Sequence, residues 1–266
     1  NSPLCAPSRS CLSSGLRYRA CGVPDNGVNL DPRLPNCWQA LRGAGYRVAT
    51  CGKNDIHKGD AAWSATGWTP ILGRLGFTEA REHAGKHDAG AKLRRGTPCL
   101  YGSLLRAAGR DEDYLRLLRE RVSEHVLPRR LYTDDVCGEQ ALHLLAGLPT
   151  GAPWCLWVNF PGPHEPFDPP AELAARTAGT AFPGPLGAAD PAHDHQHIRR
   201  NYAAMMSGID EWCGRIIDAV AQRGELDDTI VIFSSDHGEM LGDLGRWHKS
   251  VPYEAAVRVP LIVAGP

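Results

Sequence analysis

The chain has 266 residues, of which 42% are hydrophobic and 22% are charged, so it can bury a sizeable core. Its 29 Lys plus Arg and 30 Asp plus Glu give a formal net charge of −1, which excludes a global basic field that would attract nucleic acid or an anionic membrane. No apolar run approaches the roughly 20 residues of a membrane-spanning helix, and the nine cysteines lack the spacing of a disulfide framework or a zinc site.

The first half of the chain begins with a motif-like run, residues 5–9, which precedes a segment of helix-starting character at 10–15. Apolar spacing then predicts a helix over 34–44 and a short strand over 47–51. Residues 54–110 are rich in Gly, Trp and charge without a clear period. That pattern predicts a long irregular excursion, of the kind that forms one wall of a site.

The second half shows clearer periods. The predicted elements are helices at 111–125 and 134–146, the second capped by Thr133, a buried strand at 154–160, a proline-rich loop at 161–166, a Pro/Gly/Ala-rich linker at 169–192, a long helix at 196–222 and an apolar strand at 228–234. Strand, helix and strand recur, so the sequence predicts an α/β fold with a largely parallel sheet and one domain core. Polar residues just after strand ends are site candidates in such sheets, and here they are Lys53, His164, Asp236 and His237.

Cys5 lies close to groups that favour chemistry. A helix N-terminus offers free N–H groups and the positive end of a dipole, and Arg9 adds a forked cation. This environment suits an anionic oxyester and lowers the pKa of a thiol. By composition alone, a single cysteine is more often a small buried core residue. The neighbouring Pro7 and Arg9 favour the chemical role.

Asp236 and His237 directly follow the last predicted strand. A carboxylate oxygen beside an imidazole suits a divalent cation such as Mn²⁺, Mg²⁺ or Ca²⁺. The alternative is an aspartate that caps the next turn beside a histidine with partners inside the protein.

Other polar side chains can complete an anion site. Lys249 lies across a Gly-rich loop from the Asp-His pair, and a fixed ammonium there can neutralise a sulfuryl or phosphoryl oxygen. His164 can hydrogen-bond a substrate oxygen or protonate a leaving group. Lys53, followed closely by Asp55 and His57, can form a second anion-binding edge. For each of them the alternative is an ordinary solvated loop side chain.

Taken together, these segments resemble the formylglycine-dependent sulfatases of the alkaline phosphatase superfamily. The matches follow the family's order: a C-x-P-x-R signature at 5–9 with Gly15, a Gly-Lys motif at 52–53, a substrate-histidine loop at 163–166, a metal and lysine motif at 235–249, and the segment after it at 253–262. The resemblance implies an alkaline-phosphatase-like core, with a largely parallel mixed sheet flanked by helices on both faces. It also makes residues 1–266 a single sulfatase catalytic domain.

In that family a formylglycine-generating enzyme oxidises the signature cysteine to Cα-formylglycine. The hydrated gem-diol attacks sulfur, leaves a sulfated intermediate and then expels sulfate. The resemblance implies one divalent cation, Ca²⁺ by family with Mn²⁺ or Mg²⁺ as alternatives, held by Asp236, His237 and the converted Cys5. Arg9 orients the diol, the two lysines hold sulfate oxygens and His164 assists the leaving oxygen. The implied catalytic residues are thus Cys5, Arg9, Lys53, His57, His164 and Lys249.

The chain departs from the family pattern in three places. The family takes further metal ligands from an Asp pair on a first strand that precedes the signature, so we expect an internal fragment, truncated before that strand and again at its C-terminus. The family's Lys-x-His spacing is replaced by Lys53-Asn54-Asp55, with His57 two positions later, which leaves open whether Asp55 or His57 serves there. The Asp-His pair, instead of Asp-Asn, looks more like the choline-sulfatase, iduronate-sulfatase and phosphonate-monoester-hydrolase branches.

The sequence therefore predicts an enzyme that hydrolyses a sulfate monoester of a small molecule or a saccharide. One alternative is a phosphonate or phosphate ester hydrolase with the same nucleophile. Another is a catalytically silent homologue that binds sulfated ligands through Lys53, Lys249 and Arg9. We expect no nucleic-acid partner and no membrane span, and the sequence leaves the compartment open.

Overall fold

The structure is a computed structural model, and it describes residues 2–58, 63–123 and 125–266. The α-helices are α1 (Cys5–Ser14), α2 (Tyr18–Cys21), α3 (Cys37–Gly43), α4 (Pro70–Arg74), α5 (Lys86–Arg95), α6 (Leu100–Ala107), α7 (Asp111–Leu117), α8 (Thr133–Gly147), α9 (Ala171–Thr177), α10 (His195–Gln222) and α11 (Glu254–Val257). The strands are β1 (Arg47–Gly52), β2 (Glu79–Glu82), β3 (Trp154–Asn159), β4 (Val231–Ser234) and β5 (Leu261–Ala264). Short 3₁₀ turns lie at Arg129–Leu131, Leu226–Asp228 and Asp243–Gly245.

β1 is the central strand of a three-stranded parallel sheet, with β2 along one side and β3 along the other. Successive side chains of β1 point to opposite faces of this sheet. Val48 belongs to the core that contains Trp38 of α3, whereas Ala49 and Cys51 belong to the core that contains Cys137 of α8. Helices therefore cover both faces, and the predicted α/β class is confirmed.

β4 and β5 form a separate antiparallel ribbon, in which Val231 pairs with Ala264 and Ser234 pairs with Leu261. Apolar side chains of this ribbon are exposed, with Ile232 at 66% and Leu261 at 72% of full exposure. The expected sheet was one largely parallel mixed sheet. Among the described residues, both parallel and antiparallel pairs occur, but they form two separate sheets.

The segment 54–110 is more regular than its sequence indicates. It contains α4, β2, α5 and α6, none of them longer than ten residues. Elements this short hold only one to three turns of an apolar period, and Gly85 and Gly96 interrupt the pattern between them. The helix predicted at 111–125 likewise ends early, at Leu117.

Helix starts follow the local capping chemistry. The side chain of Asn36 accepts a hydrogen bond from the N–H of Gln39 at the start of α3, and Asp194 does the same for His197 in α10. Thr133, the predicted cap of α8, is instead its first helical residue. Within the described residues, none of the helices combines the length and apolarity that crossing a bilayer requires.

Candidate active site

Arg9 joins the carboxyl-terminal ends of three strands. Its Nε donates to Oδ2 of Asp236 at 2.8 Å, and its Nη1 donates to the carbonyl oxygen of Lys53 at 2.6 Å and to Oδ1 of Asn159 at 2.7 Å. These partners follow or end β4, β1 and β3 respectively. Sequence reasoning missed Asn159, although the rule of polar residues at strand ends would have selected it. The Arg9 guanidinium therefore holds together the segments that carry Lys53, Asn159 and Asp236.

Cys5 is the first residue of α1 and is only 2% exposed. Its Sγ lies 3.2 Å from Nε2 of His237, 232 residues away along the chain. Burial would raise the pKa of this thiol, but the ammonium of Lys53 and the hydrogen bond with His237 outweigh burial and lower it to about 6. The site thus stabilises negative charge at the side-chain position of residue 5.

Asp236 and His237 face Cys5 from the loop after β4. One ligand atom from each of Cys5, Asp236 and His237 lies within 4.8 Å of the others. The Nδ1–H of His237 donates to the carbonyl of Gly238 at 2.8 Å, which leaves Nε2 directed at Cys5. Burial would raise the pKa of Asp236, but Arg9 and His237 hold it well below its usual range. An ionised carboxylate beside an imidazole with Nε2 available fits a divalent cation.

Glycines allow two of these loops to approach closely. A Cβ on Gly52, at φ +80°, would lie 2.0 Å from the carbonyl oxygen of Asn159. A Cβ on Gly238 would lie 2.0 Å from the carbonyl oxygen of Ala255. The glycines beside Lys53 and His237 are therefore required by close backbone contacts.

Lys53 is buried at the end of β1, and its Nζ lies 2.8 Å from Oδ2 of Asp55. Burial would lower the pKa of the ammonium, but the negative charges of Asp55, Cys5 and Asp236 together outweigh burial and raise it. His57 is fully buried and contacts different groups: its Nε2 pairs with Glu82 on β2, and its ring lies 5.3 Å from that of Trp63. Asp55 thus faces Lys53, and His57 packs against the end of β2.

His164 and Lys249 form a pair. The Nδ1–H of His164 donates to the carbonyl of Glu165 at 2.9 Å, and Nζ of Lys249 donates to Nε2 of His164 at 2.8 Å. Burial, reinforced by the charge of Lys249, holds the pKa of His164 well below its usual range. The imidazole is therefore neutral, with Nε2 as an acceptor.

A buried cluster, which we define as Lys86, Asp134 and Asp168, holds the His164 loop from behind. Oδ1 of Asp134 accepts from the N–H of Gly162 at 2.7 Å. Nζ of Lys86 donates to the carbonyl of Pro166 at 3.0 Å and to Asp168 at 2.6 Å. Sequence reasoning missed this cluster, because its members come from three separate segments that lack motifs.

Comparisons with known proteins agree on one family. The family model described as Sulfatase matches residues 1–266. The choline-sulfatase of Rhizobium meliloti (strain 1021) is 28% identical over 311 residues, which covers 100% of this chain and 54% of that protein. Arylsulfatase K of Bos taurus is 26% identical and is matched over 100% of this chain and 50% of its own. The chain thus spans about half the length of these relatives.

Two solved structures share the fold. The phosphonate monoester hydrolase of Agrobacterium radiobacter superposes with a TM-score of 0.75 at 22% identity, over 99% of this chain and 59% of that one. The enzyme SpPMH from Silicibacter pomeroyi, also a phosphonate monoester hydrolase, gives 0.72 at 25% identity, over 98% and 58%. Since the family model matches the chain from its first residue to its last, the chain belongs to the sulfatase family.

Proposed function

We propose that the protein hydrolyses sulfate monoesters of small molecules or saccharides, with Cys5 as the precursor of its nucleophile. One observation supports this most strongly: Arg9, on the same helix as Cys5, hydrogen-bonds both the Lys53 backbone and the Asp236 carboxylate. Nucleophile precursor, anion-binding lysine and metal-ligand pair therefore meet around a single guanidinium.

Lys53 and Lys249 are our candidates for binding the sulfate oxygens. The charge of Lys53 acts on both Cys5 and His164, and the charge of Lys249 acts on both His164 and His237. Both ammonium groups therefore act on the charged state of residues that we place around the substrate. Fixed cations in a dry site stabilise the developing charge of a transition state far more than solvated ones.

Maturation requires a partner. A formylglycine-generating enzyme would oxidise Cys5, and the hydrated aldehyde would supply the attacking oxygen. Cys5 is 2% exposed in the folded chain, so we assign this oxidation to a chain that has not yet closed the site. Arg9 and His237 would then orient the diol.

A divalent cation would be held by Asp236, His237 and the oxygen that replaces the Cys5 sulfur. Ca²⁺ is the family's choice, with Mn²⁺ or Mg²⁺ as alternatives. When bound, it would lower the pKa of the attacking hydroxyl and offset negative charge on the substrate. Arg9 keeps the Asp236 carboxylate ionised and aimed, and the Gly238 carbonyl fixes the His237 ring.

We assign protonation of the departing alcohol to the Lys249 and His164 pair. Neutral His164 has no spare proton to release, whereas the ammonium of Lys249 has. We therefore assign the proton that reaches the leaving oxygen to Lys249, with His164 as the acceptor that orients it.

Steady-state rates on matched aryl sulfate and aryl phosphonate esters test the assignment in the full-length protein. We expect a higher kcat/KM on the sulfate, and a loss of about a thousandfold or more in Cys5→Ala, with unfolding temperature retained. Cys11→Ala, which removes another buried thiol of α1, should keep parental turnover. Near-parental turnover in Cys5→Ala would refute the nucleophile.

A phosphonate monoester hydrolase is the second candidate. Two structural neighbours carry that name, and both cover nearly all of this chain. A clear preference for the phosphonate in the same assay would favour this function over sulfate hydrolysis.

A further inference from the structure

Asp55 places a buried negative charge inside a site that binds anions. Its Oδ2 lies 2.8 Å from Nζ of Lys53 and 3.6 Å from Nζ of Lys58, and the residue is 1% exposed. Oδ1 has no hydrogen-bond partner among the residues that the structure describes. The carboxylate is thus held by two ammonium groups through one of its oxygens, and it occupies the position where the family spacing has a histidine.

The ion pairs form a chain that leads outward from the site. Lys53 pairs with Asp55, Asp55 contacts Lys58, and Lys58 pairs with Asp88 at 2.8 Å. Gly85 leaves room for the first link, because a Cβ there would lie 2.7 Å from Cε of Lys53. Lys53 is therefore held on a fixed path, with its ammonium shared between Asp55 and any bound anion.

The charge of Asp55 reaches the reacting groups. It opposes ionisation of Cys5 and supports the charged form of Arg9. Its own pKa is lowered: burial would raise it, but Lys53 and Lys58 outweigh burial. The carboxylate is therefore ionised in the folded protein.

A sulfate monoester and a phosphonate monoester each carry one negative charge, whereas a phosphate monoester carries two above its second pKa of about 6. The repulsion between a fixed carboxylate and an anion doubles when the charge of the anion doubles. An anion site with an internal carboxylate therefore disfavours the dianion more than the monoanion.

We propose that Asp55 is a specificity-determining residue that makes this site select monoanionic esters over dianionic phosphate monoesters. The selection rests on the proposed function, in which Lys53 binds the transferred group. It concerns charge and is independent of whether sulfur or phosphorus is attacked.

The test compares three p-nitrophenyl esters in the full-length enzyme at about pH 8, where phosphate is dianionic. These are p-nitrophenyl sulfate, p-nitrophenyl phenylphosphonate and p-nitrophenyl phosphate. In Asp55→Asn we expect the kcat/KM for phosphate, relative to that for sulfate, to rise about tenfold. The phosphonate-to-sulfate ratio should stay within about twofold, because those two anions share one charge.

Asp88→Asn is the matched control, since it removes the same charge one ion pair further out, and its ratios should equal the parent's. Asn tolerates the positive φ of 56° at position 55, so Asp55→Asn should fold. If it does not, Asp55→His, which restores the family residue, takes its place.

An unchanged phosphate-to-sulfate ratio would overturn the inference. An equal rise for phosphonate and phosphate would also overturn it, since geometry would then be the cause. Failure of the parent to hydrolyse the sulfate and the phosphonate would instead refute the proposed function, and with it the role of Asp55.

Discussion

His164 is the candidate whose protonation state is defined most narrowly by its contacts. Its Nδ1–H is used by the Glu165 carbonyl, and its Nε2 accepts from Lys249. Burial holds its pKa well below the usual range, so the ring stays neutral. Its contribution should therefore matter most when the departing alcohol needs a proton.

Replacing His164 by Ala should slow an alkyl sulfate more than an aryl sulfate. p-Nitrophenolate departs without a proton, whereas an alkoxide does not, so we expect a loss of about a hundredfold for the alkyl ester and under about tenfold for the aryl ester. Steady-state kcat/KM on both esters measures this. His87→Ala is the control, because that ring lies 5.6 Å from His164 but is half exposed. Equal losses on both esters would remove His164 from leaving-group chemistry.

For single residues, the sequence predicts which side chains belong to the site better than it predicts which of them contact each other. The strand-end rule selects Lys53, and the signature selects Cys5 and Arg9. Neither rule states that Asp55 pairs with Lys53 while His57 pairs with Glu82, because these two side chains, two positions apart on the same loop, point in different directions. The catalytic role of His57 stays a prediction.

Side chains from two helices hold the loop at 161–166 in place. Asp134 at the start of α8 binds the N–H of Gly162, and Lys86 at the start of α5 binds the carbonyl of Pro166. Both ends of the loop are thus fixed by buried polar side chains. The Asp134 carboxyl is the one whose ionisation is unfavourable. Burial raises the pKa of Asp134 to about 6, against the opposing effect of Lys86.

Asp134→Asn should flatten part of the pH dependence of stability. A carboxyl whose folded pKa is raised stabilises the native state below its unfolded pKa, and that contribution is lost as pH rises through about 6. Asn retains the acceptor oxygen and does not ionise, so relative to this variant the parent should lose about 2 kcal/mol between about pH 4 and pH 7.

Chemical denaturation at several pH values measures this difference. The exposed residue Asp227 supplies the control, because Asp227→Asn should track the parent at every pH. A constant difference between Asp134→Asn and the parent would contradict the raised pKa.

At the element scale, segments with a clear apolar pattern are predictable even when they are short, as the strand predicted at 47–51 and found at Arg47–Gly52 shows. The strand predicted at 154–160 is found at Trp154–Asn159, and the long helix predicted at 196–222 is found at His195–Gln222. The elements between 54 and 110 are missed because each is too short to repeat its apolar period. The buried cluster behind the His164 loop depends on contacts between segments, which no local pattern records.

Across the whole molecule, the site closes through contacts between distant parts of the chain. Ser8 Oγ donates to the carbonyl of Asp236 at 2.6 Å, and Arg9 binds the side chain of the same residue. The loop after β4 is thereby fastened to α1. A cation held by Asp236 and His237 would strengthen the same junction.

Removal of divalent cations should lower the unfolding temperature of the full-length protein. A ligand that binds only the native state at a hundred times its Kd stabilises by about 2.7 kcal/mol, so chelation should cost several degrees and metal addition should restore them. Differential scanning calorimetry with and without a chelator measures this. Asp236→Asn should be insensitive to the chelator, and a parental response in that variant would place the cation elsewhere.

Conversion of Cys5 to formylglycine decides whether this residue is the precursor of the nucleophile. The measurement is mass spectrometry of the peptide that contains Cys5, from protein co-expressed with a formylglycine-generating enzyme. We expect the mass change from thiol to aldehyde at Cys5, while Cys11, six residues further along α1, remains a thiol. An intact thiol at Cys5 under these conditions would contradict this expectation.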